Sequence, residues 1–423
     1  MTIRNFLTFL KNAPTPWHTT FELSEGLKDN GFSQLEETSS WDFGKGKKFF
    51  VKRGGALIAF HLPKKKPVRA TIAASHTDSP CLKIKPHPQF RSHNMNLFRI
   101  DSYGGPLLST WFDRDLAIAG QIYSLKQGSL CSDLVYCKKT QVTIPSLAIH
   151  LQEKKEGTPK QYLDKQEHLC PLLGLSEKEE DSLEKILKAH LKVKEILASD
   201  LYLVPTQDPS ILGTSSDLIA GYRIDNLSSV YACYDALILA NQQDETLCMS
   251  VFWNHEEIGS DTLEGAGSPF LEEVLRRICL YFDTNEETYF RMKANSICIS
   301  LDVAHAFHPN FSKRYDSEDH PLFGKGMIIK HSSNLRYATT AKLCASVKAL
   351  CKKRKIPFQE SALHSEVKGG TTVGPIAATV LGIETIDIGA PLLAMHSTRE
   401  LLCEKDQESL HQFLKVAFEE LKL

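Results

Sequence analysis

The chain has 423 residues, 42% apolar and 24% charged, with a formal net charge of −1. That balance places it among soluble globular proteins and excludes an electrostatically driven role on nucleic acid or at a membrane surface. The length exceeds what one core normally serves and predicts two domains of unequal size.

At the start, an apolar stretch broken by Asn5, Lys11 and Asn12 and followed by Pro14 and Pro16 predicts an amphipathic helix and then a turn, not a signal peptide or a membrane span. Strands are predicted over residues 56–62 and 68–75, with Pro63-Lys64-Lys65-Lys66-Pro67 as an exposed turn between them. From about Pro86 to Gly221 the pattern changes to short β-like runs, such as 117–125 and 141–148, which predicts an inserted domain. Within it, a helix over 177–198 is expected, opened by Ser176 and Glu179 at capping-box spacing.

From Tyr222 onward, helices at 227–241 and 269–281 alternate with strands at 247–253 and 296–301. Such alternation predicts an α/β fold with a mixed, largely parallel sheet flanked by helices. A helix beginning near Thr339 ends in Lys352-Lys353-Arg354-Lys355, where positive charge suits the helix dipole, and a last helix repeats apolar residues at Leu410, Phe413, Leu414, Ala417 and Leu421. Eleven cysteines without Cys-x-x-Cys spacing predict scattered thiols in a reducing compartment, so the cytoplasm is the expected location.

The chemistry concentrates where apolar runs end, the place at which open α/β sheets put their ligands. Asn254-His255-Glu256-Glu257-Ile258-Gly259-Ser260 follows such a run, and two adjacent carboxylates there are tolerable only if a cation or a proton neutralises them. Ser75-His76-Thr77-Asp78 closes another run with an Asp spaced to orient the imidazole of a ligating His. Asp225 at a strand-to-helix junction, which a plain helix cap would equally explain, Asp302 and His396 complete the set of candidates.

Seven segments together give the chain a resemblance to the M18 family of metalloaminopeptidases, the aspartyl aminopeptidase group. They are His76-Thr77-Asp78-Ser79-Pro80, Thr110-Trp111-Phe112-Asp113-Arg114-Asp115-Leu116, Asp225-Asn226-Leu227, the Glu256-Glu257 motif, Asp302-Val303-Ala304-His305-Ala306, Gly370-Thr371-Thr372-Val373-Gly374-Pro375 and Ala394-Met395-His396-Ser397. The resemblance implies a zinc-peptidase-like catalytic domain over 1–86 and 222–423, with a β-rich dimerisation domain inserted at 87–221. It also implies two divalent ions, zinc foremost, one held by His76 and Asp302, the other by Glu257 and His396, with Asp225 bridging.

By the same resemblance, Glu256 is the general base acting on a hydroxide shared between the ions, and Asp78 supports His76. His305 and Lys330 contact the substrate, Lys330 selecting Asp or Glu at the N-terminus of short peptides with a free amino group. His150 reaches a neighbouring subunit's site in a homodimer that builds a homododecamer. The segments Ser332-Ser333-Asn334-Leu335 and Val367-Lys368-Gly369-Gly370 depart from the family pattern beside the expected substrate loops. The alternatives are an aminopeptidase of neutral or basic specificity, a related two-metal amidohydrolase acting on blocked amino groups, and a catalytically idle assembly protein.

Overall fold

Continuous apolar runs arise when a strand is covered on both faces, and the central strands here are of that kind. In a computed structural model, which describes residues 2–152, 163–175, 182–367 and 369–422, all six residues of strand Ala56–His61 are buried. Its side chains alternate between two cores. Leu57 and Ala59 join one, packed with the helices Ile3–Asn12, Ile224–Leu239, Ala341–Arg354 and Glu404–Glu420, while Ala56, Ile58 and Phe60 join the other, packed with Phe270–Tyr281, Glu286–Ala294 and Val373–Leu381.

The chain forms two units. One comprises Met1–Asp78, Pro209–Met395 and Glu400–Leu423, the other Ser79–Asp208 with His396–Arg399. Both cuts fall earlier than 86 and 221. Strand Cys81–Ser92 already belongs to the inserted unit's sheet, and Leu218–Gly221 pairs with Glu400–Cys403 in the first unit.

The first unit holds a nine-stranded sheet in the order Ser33–Leu35, Lys48–Arg53, Ala56–His61, Thr246–Trp253, Arg69–His76, Ile297–Leu301, Glu384–Gly389, Met327–His331 and Phe358–Ala362. The four strands from Thr246–Trp253 to Glu384–Gly389 run parallel, so their C-terminal ends share one edge. The register sets Trp253 opposite His76 and Leu301 opposite Ile388. A glycine is needed at 389, because a Cβ there would lie 1.8 Å from the Asp302 carbonyl oxygen.

Every pairing in the second unit's six-stranded sheet is antiparallel, in the order Ser129–Val142, Leu116–Lys126, Ala198–Pro205, Cys81–Ser92, Met95–Tyr103 and Leu172–Gly174. The strand expected over 141–148 ends at Val142, and Pro145, which lacks a backbone donor, lies in the loop that follows. Among the described residues the expected helix spans Leu183–Leu191, capped by Ser182, and stops there because Lys192 turns left-handed and Ala198 already starts a strand. Ser176, Glu179 and Lys368 lie outside the described residues. After the first helix, Pro14 and Pro16 do more than turn the chain: Pro16 opens a second helix, Pro16–Asp29, in the first-turn position that tolerates proline. Among the described residues no helix is long and apolar enough to cross a membrane.

His61 ends its strand with the ring buried 5.3 Å from Phe32, and burial together with Lys48 lowers its pKa to about 4. The unfolded imidazole takes up its proton near 6.5, so this residue's contribution to stability is complete above that pH and is lost as pH falls toward about 4. His61→Phe is expected to remove about 2 kcal/mol of the stability lost between about pH 7 and about pH 4.5. Urea unfolding of both proteins at the two pH values measures it.

Candidate metal centre

The shared C-terminal edge carries His76, Asp302 and the glutamate pair. His76 is the last residue of its strand, Asp302 follows Leu301, and Glu256 and Glu257 open a 3-10 turn, Glu256–Ile258, just beyond Trp253. That turn is entered through His255 and left through Gly259, both left-handed. Asp78, fully buried, holds it: Glu256 N donates to Oδ1 and Glu257 N to Oδ2, each at 3.1 Å. The same carboxylate lies 3.4 Å from His76 Nδ1, and the Asp78 carbonyl oxygen is 3.1 Å from that nitrogen. Asp78 therefore lies against the imidazole and holds the amides of the glutamate turn, a contact that the spacing does not reveal.

On its other side, His76 Nε2 faces carboxylates: 3.5 Å to Asp225 Oδ1, 3.6 Å to Asp302 Oδ1 and 4.0 Å to Glu256 Oε2. One donor atom each from His76, Asp225 and Glu257 lies within 4.8 Å of the others. Donors bound at about 2.0 to 2.1 Å around a tetrahedral zinc ion sit about 3.4 Å apart, so these separations fit a common cation.

Charge gives the same answer. Burial, reinforced by repulsion from Asp302, Asp78 and Asp225 and opposed by His76, pushes the Glu256 carboxyl up to about 8. Burial alone would lower the His76 pKa, but Asp302, Asp78 and Glu256 hold it well above its ordinary value. Asp302 is driven the other way: burial opposes its charge, yet Lys330 and His76 hold the carboxyl at about 2. A divalent ion would relieve this repulsion, and the donor set suits zinc.

Several supporting residues escaped sequence reasoning. Asp225 N donates to Glu400 Oε2 at 2.9 Å, and Asn226 Nδ2 donates to the Leu301 carbonyl at 2.7 Å, tying the strand-to-helix junction to the strand that precedes Asp302. Buried Arg223 donates to the carbonyls of Ala13 and Thr77, joining the N-terminal segment to the His76 loop. Glu264 accepts from Asn254 Nδ2 and from Gly55 N, both at 2.7 Å, bracing the chain just before the glutamate turn. The only sequence signal was a charged residue beside an apolar run, which is too common to be informative.

Lys330 is buried, not exposed, with Nζ 3.5 Å from Asp302 Oδ2 and 5.2 Å from the centre of the Tyr337 ring. His305 stands on the short strand Ala304–His305 and lines a cavity of about 270 Å³ with Arg314, Tyr315, His320 and His364. In the second unit, left-handed His396 has Nδ1 3.0 Å from the Gly105 carbonyl oxygen, and His150 is exposed in the turn Ile149–Leu151.

The family model described as Aminopeptidase I zinc metalloprotease (M18) matches residues 9–418. The chain belongs to the M18 aminopeptidase family. A "Probable M18 family aminopeptidase 2" of Streptomyces avermitilis is 40% identical over 424 residues, covering 98% of this chain and 96% of the relative. Among solved structures, a chain of the Ape4 and Nbr1 complex matches with a TM-score of 0.92 at 30% identity, over 98% of this chain and 85% of that one. The S. cerevesiae mApe1 dodecamer matches at 0.84 and 27%, over 99% and 96%. This M18 chain is accordingly a metalloaminopeptidase, and the family's metal is zinc.

Removing the Asp78 carboxylate strips both its contact with His76 and the two side-chain acceptors of the Glu256 and Glu257 amides in this M18 chain. Asp78→Ala is expected to weaken zinc binding about 10- to 100-fold. Competition against a chromogenic chelator measures it, and unchanged affinity would show that Asp78 does not support the ligands.

Proposed function

We propose that this M18 aminopeptidase removes the N-terminal residue of short peptides at a two-ion centre and prefers Asp or Glu at that position. The observation that carries the reading is the convergence of His76, Asp225 and Glu257 within 4.8 Å, with Glu256 next in the chain to one of them. His76 and Asp302 would hold one ion, Glu257 and His396 the other, with Asp225 shared. When bound, such ions polarise the scissile carbonyl and acidify a water.

Glu256 Oε2 is the atom that takes the water's proton and passes it to the leaving amine. Its carboxylate, 4.0 Å from His76 Nε2, stands beside the ligand set, where a positioned side-chain base can carry the proton between the two transfers. Asp78 keeps the His76 imidazole aimed at the ions. His305, beside its cavity, contacts the peptide, and Lys330 pairs with the acidic side chain at the N-terminus.

The inserted unit serves as the dimerisation domain, and the chain assembles as a homodimer and then a homododecamer, in which His150 reaches the site of a neighbouring copy. Leu147, Ile149 and Leu151 around His150 are 49%, 63% and 70% exposed, an apolar turn suited to burial against another subunit, and the mApe1 dodecamer supports the assembly. The cytoplasm fits eleven cysteines that are all free.

A second reading rests on one distance. Lys330 Nζ already faces Asp302 at 3.5 Å, and a lysine committed to that carboxylate leaves no cation for an acidic substrate, which favours neutral N-terminal residues instead.

Hydrolysis of Asp, Glu, Leu, Lys and Ala reporters, before and after chelation and with zinc restored, separates the readings. The proposal expects chelator-sensitive cleavage concentrated on Asp and Glu; cleavage concentrated on Leu or Ala assigns Lys330 to Asp302. Glu256→Gln is expected to keep its zinc by elemental analysis and to lose about 100- to 10,000-fold in kcat. Zinc lost together with activity would make Glu256 a ligand instead of the base.

A further inference from the structure

A second gathering of metal-capable side chains lies at the far edge of the nine-stranded sheet, built from residues that the peptidase reading leaves unused. His331 ends strand Met327–His331, Glu360 lies on the neighbouring parallel strand Phe358–Ala362, and Cys344 is on helix Ala341–Arg354. His331 pairs with Ala362, so Glu360, two residues earlier, projects from the same face of the sheet. Cys344 meets that face from the helix above, sharing a core with Ile329.

His331 Nε2 is 3.2 Å from Glu360 Oε1, and Cys344 Sγ is 3.7 Å from the same oxygen. The three donors lie within 4.8 Å of one another. Around a tetrahedral zinc ion, nitrogen and oxygen at about 2.0 to 2.1 Å and sulfur at about 2.3 Å stand about 3.4 to 3.6 Å apart, which is the spacing these atoms already approach. Lys348 Nζ holds the other Glu360 oxygen, Oε2, at 2.6 Å, fixing the carboxylate with Oε1 turned to the histidine and the thiol. His331, the imidazole of the set, also lines a cavity of about 810 Å³ with Ser332, Tyr337 and His364.

We propose that His331, Cys344 and Glu360 form a further divalent-metal site, separate from the peptidase centre, which takes zinc or another borderline-soft ion through one imidazole, one thiolate and one carboxylate. Binding displaces the Cys344 thiol proton to solvent, since the thiolate is the ligand. The mixed nitrogen, sulfur and oxygen set selects zinc, cobalt or copper over magnesium and calcium, which prefer oxygen alone.

Cobalt(II) added to the metal-free full-length protein tests this by absorption, because a thiolate-to-cobalt charge-transfer band requires a cysteine ligand and the residues of the peptidase centre supply none. The expected result is a near-ultraviolet band that saturates and disappears in Cys344→Ser, with His331→Gln and Glu360→Gln each weakening the cobalt affinity read from it by about ten-fold or more. The two partly exposed positions keep the test independent of any folding defect at buried Cys344. A wild-type protein that shows no band at saturating cobalt, or a band that survives Cys344→Ser, overturns the proposal. Either result leaves the peptidase assignment, which is read by turnover, untouched.

Discussion

Four carboxylates and an imidazole crowded at one sheet edge set the terms for the rest of the structure. Asp225, Asp302 and Glu256 all lie within 4.0 Å of His76 Nε2, and Asp78 sits behind the ring. Like charges at this spacing in a buried setting cannot all persist without positive charge among them. The molecule supplies part of it in Lys330, and the family's zinc is the natural source of the remainder.

Such a cluster must be held against its own repulsion, and the side chains that hold it bind backbone groups. Asp78 grips the amides of the glutamate pair, Glu400 grips the amide of Asp225, and Asn226 reaches the carbonyl of Leu301. Arg223 binds two carbonyls from distant segments. Because these bonds fix the chain instead of the reacting side chains, the carboxylates stay available to a cation. The arrangement explains why so many charged residues are buried near this edge without direct partners in catalysis.

The sheet was legible in the sequence where strands are covered on both faces, since 56–62, 68–75 and 247–253 then read as largely apolar runs. His76, Asp78, the glutamate pair and Asp302 were legible because each closes such a run. Helix Pro16–Asp29 was hidden by Pro16 at its start and Pro14 before it, and helix Leu183–Leu191 was read too long because apolar Val193, Ile196 and Leu197 keep the period after the backbone has turned at Lys192. Lys330 was reached only through the family resemblance, and Arg223 and Glu400 carried no readable signal: what buries each of them is a partner far away in the chain, and local pattern does not encode distant partners.

Strands Ala56–His61 and Arg69–His76 are close in sequence but not neighbours in the sheet; Thr246–Trp253 lies between them, antiparallel to the first and parallel to the second. During synthesis, the first part of the sheet must wait with a vacant slot until residue 253 has left the ribosome, long after its own strands have emerged. Two apolar strand edges stand open through that interval, a liability for a nascent chain that a finished molecule no longer carries. Closing the slot brings Trp253 beside His76, so the step that seals the sheet is also the step that first sets the glutamate turn against the histidine.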